Sequence, residues 1–320
     1  MPVETLVAFA ADEQQRAHRL LAARVAHMGA RKFEEGDWAD VYCGAKRIPK
    51  TGWSNLNIDI THGPLGVEHK MMSRSVSRPI TAWCGTMIMH PAATRALRID
   101  SIDKDANQVM ADVFRQYGEL IERRREKIRQ TGFDQPDMRT GWLLWQESLR
   151  QFLYFEERMK VPDPDEFYAV WNERVGSGAR LGSKNLWIYE RTSKQKRFSV
   201  TTQAGIKLQP YFEVPPLDDP NLYVFIAQGE EAGDGRVRLW LTAATARDLQ
   251  GLVGDLEVEH VSNAILSSEL RTGEDAVILE GEDVVEVLVS DEAYVKLSTD
   301  FSGPSDEHWV RAFIANAQAR

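Results

Sequence analysis

Apolar positions recur along this chain in two rhythms, one helical and one alternating. Between residues 105 and 130, Val109, Val113, Phe114, Tyr117, Leu120, Ile121 and Ile128 return at helical spacing and predict a long amphipathic helix. A weaker stripe of Leu6, Ala10, Leu20, Leu21, Val25 and Met28 predicts a helix over residues 2–32, closed by Glu34-Glu35-Gly36-Asp37. Residues 38–43 then read as a strand, with Trp38, Val41 and Cys43 turned to the core. Residues 142–145 (WLLW) suit a buried strand, whereas residues 146–158 look helical on Leu149, Phe152, Leu153 and Phe155. Pro162-Asp163-Pro164-Asp165 reads as a break and a fresh helix start leading to Phe167, Val170 and Trp171. Residues 176–183 (GSGARLGS) are the most linker-like piece. Beyond them alternation takes over: residues 185–190, 197–202, 207–214, 222–228 and 236–242 predict short strands, the last completing a hairpin around 229–235. Helices at 245–253 and from about 306 to the end, with strands around 276–279 and 284–289, complete the pattern.

One stretch combines the alternating rhythm with charge. Asn57-Ile58-Asp59-Ile60 and Val67-Glu68-His69-Lys70-Met71-Met72 read as two strands joined through His62-Gly63-Pro64, which is turn chemistry. Side chains alternate across a strand, so Val67, His69 and Met71 share one face while Glu68 and Lys70 share the other. If the strands pair, Asp59, Glu68 and Lys70 meet on one face. Unpaired charges on a sheet are costly, and a divalent cation supplies a reason for them. Two carboxylates offer the hard oxygen ligands that suit Mg²⁺. Lys70 would then orient or deprotonate a water, or stabilise negative charge building on a phosphate.

Asp59 followed by Glu68-His69-Lys70 resembles the active-site signature of the PD-(D/E)xK nuclease superfamily, which includes many restriction endonucleases. The likeness covers roughly the first third of the chain. It implies an α/β (α+β) fold: a restriction-endonuclease-like core with a central mixed sheet flanked by helices, followed here by a β-rich C-terminal region. It implies Asp59, Glu68 and Lys70 as catalytic residues, with Mg²⁺ (or Mn²⁺ in its place) held by Asp59, Glu68 and the backbone carbonyl of His69. In that family an acidic residue of the first helix often joins the metal site, and Glu34 or Glu35 stands where it would be. The activity implied is cleavage of double-stranded DNA by a type II restriction enzyme or related prokaryotic defence nuclease acting as a homodimer. A protein that keeps the core and binds DNA without cutting it is the alternative.

Composition adjusts this picture. The net charge of −9 looks wrong for a DNA-binding protein until it is divided. Residues 1–211 hold 32 Lys and Arg against 26 Asp and Glu, and residues 212–320 hold 7 against 22. The first two-thirds is therefore the part suited to a polyanion. Candidate phosphate contacts are Arg74 and Arg78 in a basic loop, Arg95, and Lys194, Lys196 and Arg197, which are interleaved with Trp187, Tyr189, Phe198 and Tyr211. Arg123-Arg124-Arg125 either offsets the dipole of its own helix or meets a DNA backbone. His62, His69 and His90 read as structural or surface residues. Two cysteines, Cys43 and Cys84, make neither a zinc motif nor a disulfide framework and suit a reducing cytoplasm. No apolar run is long enough to cross a bilayer, and no phosphate loop, dinucleotide fingerprint, calcium loop or nucleophile elbow occurs, so no nucleotide cofactor is expected. The organisation expected is a nuclease core over residues 1–175 and a β-rich recognition or dimerisation region over 184–320.

Overall fold

The computed structural model describes residues 6–29, 31–49, 58–91, 97–174, 183–202, 206–269 and 283–319. Helices α1 (Ala11–Ala26) and α2 (Glu35–Lys46) come first. A hairpin of β1 (Ile60–His62) and β2 (Leu65–Arg74), a 3-10 turn at Ile80–Trp83 and β3 (Met87–Met89) follow. Helix α3 (Ala106–Arg129) leads to β4 (Asp137–Gln146), β5 (Gln151–Arg158), β6 (Phe167–Arg174), β7 (Ser183–Glu190), β8 (Lys196–Thr201), β9 (Lys207–Glu213) and β10 (Tyr223–Ile226). The chain finishes with β11 (Glu230–Gly233), β12 (Arg236–Thr242), α4 (Ala243–Val253), α5 (Val258–Leu266), β13 (Val284–Ser290), α6 (Asp291–Asp300) and α7 (Asp306–Gln318).

The first sheet has the order β1-β2-β4-β5-β10 and is mixed. Strands β2 and β4 run parallel, joined by the crossover that contains α3, and the other pairs are antiparallel. One face packs on α1 and α2 through Leu21, Trp38, Tyr42, Phe152, Tyr154 and Phe225. The other carries Trp142, Leu144, Leu153 and Phe155 and meets Phe212 of the second sheet, where Trp142 and Phe212 stack at 4.0 Å. The second sheet, β3-β9-β8-β7-β6, packs its inner face on α3. A third sheet, β11-β12-β13, forms its own core with α4 to α7.

Several expectations change. The first helix begins at Ala11, and residues 1–5 lie outside the described residues. Residues 38–43 form helix, not strand: Trp38, Val41, Tyr42 and Ala45 are buried at helical spacing, and Glu34-Glu35 opens this helix instead of closing the preceding one. Residues 151–158 form a strand, not a helix. Phe152, Leu153, Tyr154 and Phe155 are consecutive and fully buried because both faces of this sheet are covered, which erases the alternation a half-exposed strand would show. Phe167 begins β6 after a single 3-10 turn, with Phe167 and Ala169 inward. The expected boundary at 176–183 falls between β6 and β7, which pair from Phe167↔Glu190 to Arg174↔Ser183. The C-terminal part is α/β, not simply β-rich, since α5 and α6 join the two expected helices. The strand expected at 276–279 falls on residues outside those described.

Candidate active site

The β1–β2 hairpin turns on Gly63-Pro64, with Gly63 at φ 57°, where a side chain would be strained. Its register pairs Ile60 with Val67, which sets Asp59 beside Glu68 one step before β1 begins. The Asp59 carboxylate accepts the backbone N–H of His69 at 2.6 Å. Glu68 accepts from the Lys70 ammonium and from the Arg124 guanidinium of α3. Glu35, the first residue of α2, brings its carboxyl within hydrogen-bonding reach of Asp59. Glu34 instead occupies the cap position, its N–H held by Asp37 at 2.9 Å. Of the two candidate helix acids, Glu35 is therefore the one at the site. Four expected residues, Glu35, Asp59, Glu68 and Lys70, meet from three separate segments.

The site is electrostatically lopsided. Glu35 and Asp59 are both exposed at the surface, but loss of water around the Glu35 carboxyl, reinforced by the negative charge of Asp59, pushes it up to about 7. Partial loss of water likewise raises Asp59, although the His69 N–H pulls the other way. Burial would also raise Glu68, but Lys70 and Arg124 outweigh it and hold that carboxyl below its usual value. One half of the site is thus a carboxyl pair lacking a full counter-charge, and the other is an ion-paired carboxylate. As the side chains stand, no three His, Cys, Asp or Glu among the described residues are gathered closely enough to cage a metal ion. Glu68 would have to turn from Arg124 to join the other two.

The Glu35 shift has a consequence for stability. Its folded-state value lies above the unfolded 4.5, so the native protein keeps a proton that the unfolded chain has released. Stability from this group is full below about 4.5 and is lost as pH rises through about 7. In EDTA, Glu35→Gln is expected to melt above the wild type at pH 8 and to converge on it towards pH 5. Parallel melting profiles across that range would refute the Glu35–Asp59 repulsion.

Beneath the hairpin lies a buried polar network. His69 points to the reverse face, as its alternation requires, and is 1% exposed. Its Nε2 lies 3.3 Å from the Tyr154 hydroxyl, which donates to Glu156 at 2.9 Å. Tyr42 and Arg139 also donate to Glu156, each at 2.8 Å. Gly141 of β4 is the direct partner of His69 on β2, and a Cβ there would come within 2.7 Å of the imidazole and 2.4 Å of the Tyr154 hydroxyl. Burial pulls the His69 imidazole down to about 3, so it is a neutral packing group whose backbone N–H positions Asp59. Sequence reading did not find Glu156. The signal was the alternation of Tyr154 and Glu156, which becomes readable once residues 151–158 are known to be a strand.

The remaining candidates are dispersed. Arg74 follows Glu68 and Lys70 on the same strand and the same face, by alternation. Its guanidinium lies 4.3 Å from the Trp83 ring, with Nε and Nη2 buried and lacking hydrogen-bond partners among the described residues. Such a guanidinium is ready for an anion. Arg78 is exposed, and its carbonyl accepts from Gln146 at 2.9 Å. Arg95 lies outside the described residues. Lys194 and Lys196 stand on the outer face of the second sheet over Tyr168 and Trp187. Arg197 departs from them at a β-bulge, and its charge offsets part of the loss of water that raises the Glu157 carboxyl. His90 is buried, with Nε2 3.1 Å from the Met71 carbonyl, and burial takes it down to about 4. No helix among the described residues is long and apolar enough to cross a membrane. Compared with protein-family models, curated proteins and solved structures, the chain finds no match in any of the three.

Proposed function

We propose that this protein is a Mg²⁺-dependent endonuclease of the PD-(D/E)xK type that hydrolyses phosphodiester bonds in double-stranded DNA in the cytoplasm, as a restriction enzyme or related defence nuclease does. The observation that carries the reading is the meeting of Glu35, Asp59, Glu68 and Lys70 at one end of the hairpin. The donor set fits a hard divalent cation: the Glu35–Asp59 pair offers carboxylate oxygens and lacks a full counter-charge, and Mg²⁺ takes one or two carboxylates and keeps several waters. Glu35 and Asp59 would hold the ion, with Glu68 and the His69 carbonyl beside them. When bound, Mg²⁺ would supply Lewis-acid stabilisation of the phosphate under attack.

The chain's own groups do the rest. The His69 N–H fixes the Asp59 carboxylate, and the network under it keeps that N–H in place. Lys70 holds an ammonium where negative charge develops on the phosphate. Arg74, roughly 13 Å further along the strand, takes a flanking phosphate and sets the register of the DNA. Cutting both strands needs two sites or two sequential nicks, so the working unit is read as a homodimer.

Supercoiled plasmid incubated with the protein is expected to be nicked or linearised with Mg²⁺ or Mn²⁺, and to stay intact in EDTA. One observation favours the second reading, a DNA-binding protein that does not cut: Glu68 is already satisfied by Lys70 and Arg124. Plasmid that is bound but intact with both metals would decide for it.

A further inference from the structure

The second sheet has two unlike faces. Phe167, Ala169, Leu186, Ile188, Val200 and Leu208 turn inward and are buried against α3. On the outer face Tyr168 and Tyr189 are direct cross-strand neighbours, stacked at 5.3 Å with 16° between their planes. Trp187 follows two residues along β7, and Tyr211 lies on β9. All four rings are half-buried, so their π-faces are neither in the core nor freely hydrated. Two ammonium groups sit among them. Lys196 is 3.5 Å from the centre of the Trp187 ring and 5.3 Å from that of Tyr211, and Lys194 is 5.4 Å from that of Tyr168. Lys184 of the same sheet behaves differently: it lies over Trp171 but is also bridged to Glu173 at 3.0 Å. Lys194 and Lys196 have no carboxylate partner among the described residues, which leaves their charge uncommitted.

A ligand for this face must bring flat π-surfaces and negative charge at short, repeated intervals. An acidic peptide has the charge without the rings, and a duplex hides its rings in the stack. An unpaired polynucleotide has both, because every base offers a face and every linkage a phosphate. We propose that the outer face of the second sheet binds single-stranded DNA, with bases stacked on Trp187, Tyr211 and the Tyr168–Tyr189 pair and with Lys194 and Lys196 on the phosphates. Lys196 covers Trp187 in the free protein and swings on its flexible stem to a phosphate as a base takes its place. The choice of DNA rests on the proposed nuclease reading, but the binding itself needs no cation and no cleavage.

The test uses the full chain in EDTA and a fluorescein-labelled fifteen-nucleotide thymidine oligomer, read by anisotropy and by quenching of tryptophan emission. The wild type is expected to bind with an affinity that falls as salt is raised. Trp187→Ala and Tyr211→Ala are each expected to weaken binding about ten-fold or more, Trp187→Phe to retain most of it, and Lys196→Gln to flatten the salt dependence. Circular dichroism and melting establish that each variant is folded. Should Trp187→Ala fail to fold, Tyr211→Ala and Lys196→Gln report on the same face. No binding by the wild type, equal competition by a blunt duplex of the same length, or unchanged binding by folded Tyr211→Ala and Lys196→Gln variants would each overturn the proposal. Oligomer binding in EDTA by a protein that never cuts plasmid would sink only the nuclease reading, and cutting without oligomer binding would sink only this one.

Discussion

Lys70→Ala is expected to lower DNA cleavage at least about a hundred-fold while leaving DNA binding largely intact, since removing one group that stabilises transition-state charge typically has that effect. The ammonium sits on β2 beside Glu68, on the face away from the packed His69. Removing it does not empty the site of positive charge, because Arg124 still holds Glu68. The fold should therefore survive, and an unchanged melting temperature would confirm that activity alone was lost. Undiminished cutting by the variant would exclude the role assigned to Lys70, and equal losses of binding and cutting would make it a phosphate anchor only.

Glu156→Ala is expected to have the largest effect on stability. Glu156 is 2% exposed and accepts from Tyr42, Tyr154 and Arg139. Alanine would leave two buried hydroxyls and one side of a guanidinium without their acceptor. Breaking a buried charge pair by removing one partner costs about 3–5 kcal/mol. Arg139 keeps Asp137 at 2.5 Å, which limits the loss on its side. Glu156→Gln retains an acceptor of the same shape and should lose less. Urea unfolding, with the slope unchanged and the midpoint shifted, measures both variants. A loss under about 1 kcal/mol for the alanine variant, the scale of one ordinary hydrogen bond, would mean that the network is not cooperative.

What could be read without coordinates depended on how far each signal was local. Helix α3 was legible nearly to its ends, because one face alone is buried and its apolar positions keep helical spacing. The β1–β2 hairpin was legible because Gly63-Pro64 marks the turn and Glu68, His69 and Lys70 alternate. Strand β5 was not, because it is covered on both faces and its run Phe152-Leu153-Tyr154-Phe155 carries no period to read. Residues 38–43 misled for a related reason: a short apolar run suits strand and helix equally, and only the packing of Trp38 and Tyr42 against Tyr154 and His69 decides between them.

The same division holds at the site. By itself the sequence determined that Glu68 and Lys70 share a face, that His69 takes the other, and that Asp59 stands across a tight turn, since chain geometry over a few residues imposes all three. Tertiary structure alone decided that Glu35 and not Glu34 reaches Asp59, that Arg124 crosses from α3 to Glu68, and that Glu156 anchors the layer beneath. Those contacts join segments 24, 56 and up to 114 residues apart. Pairings at such separations are set by how helices and sheets pack on one another, which no local pattern of residues encodes.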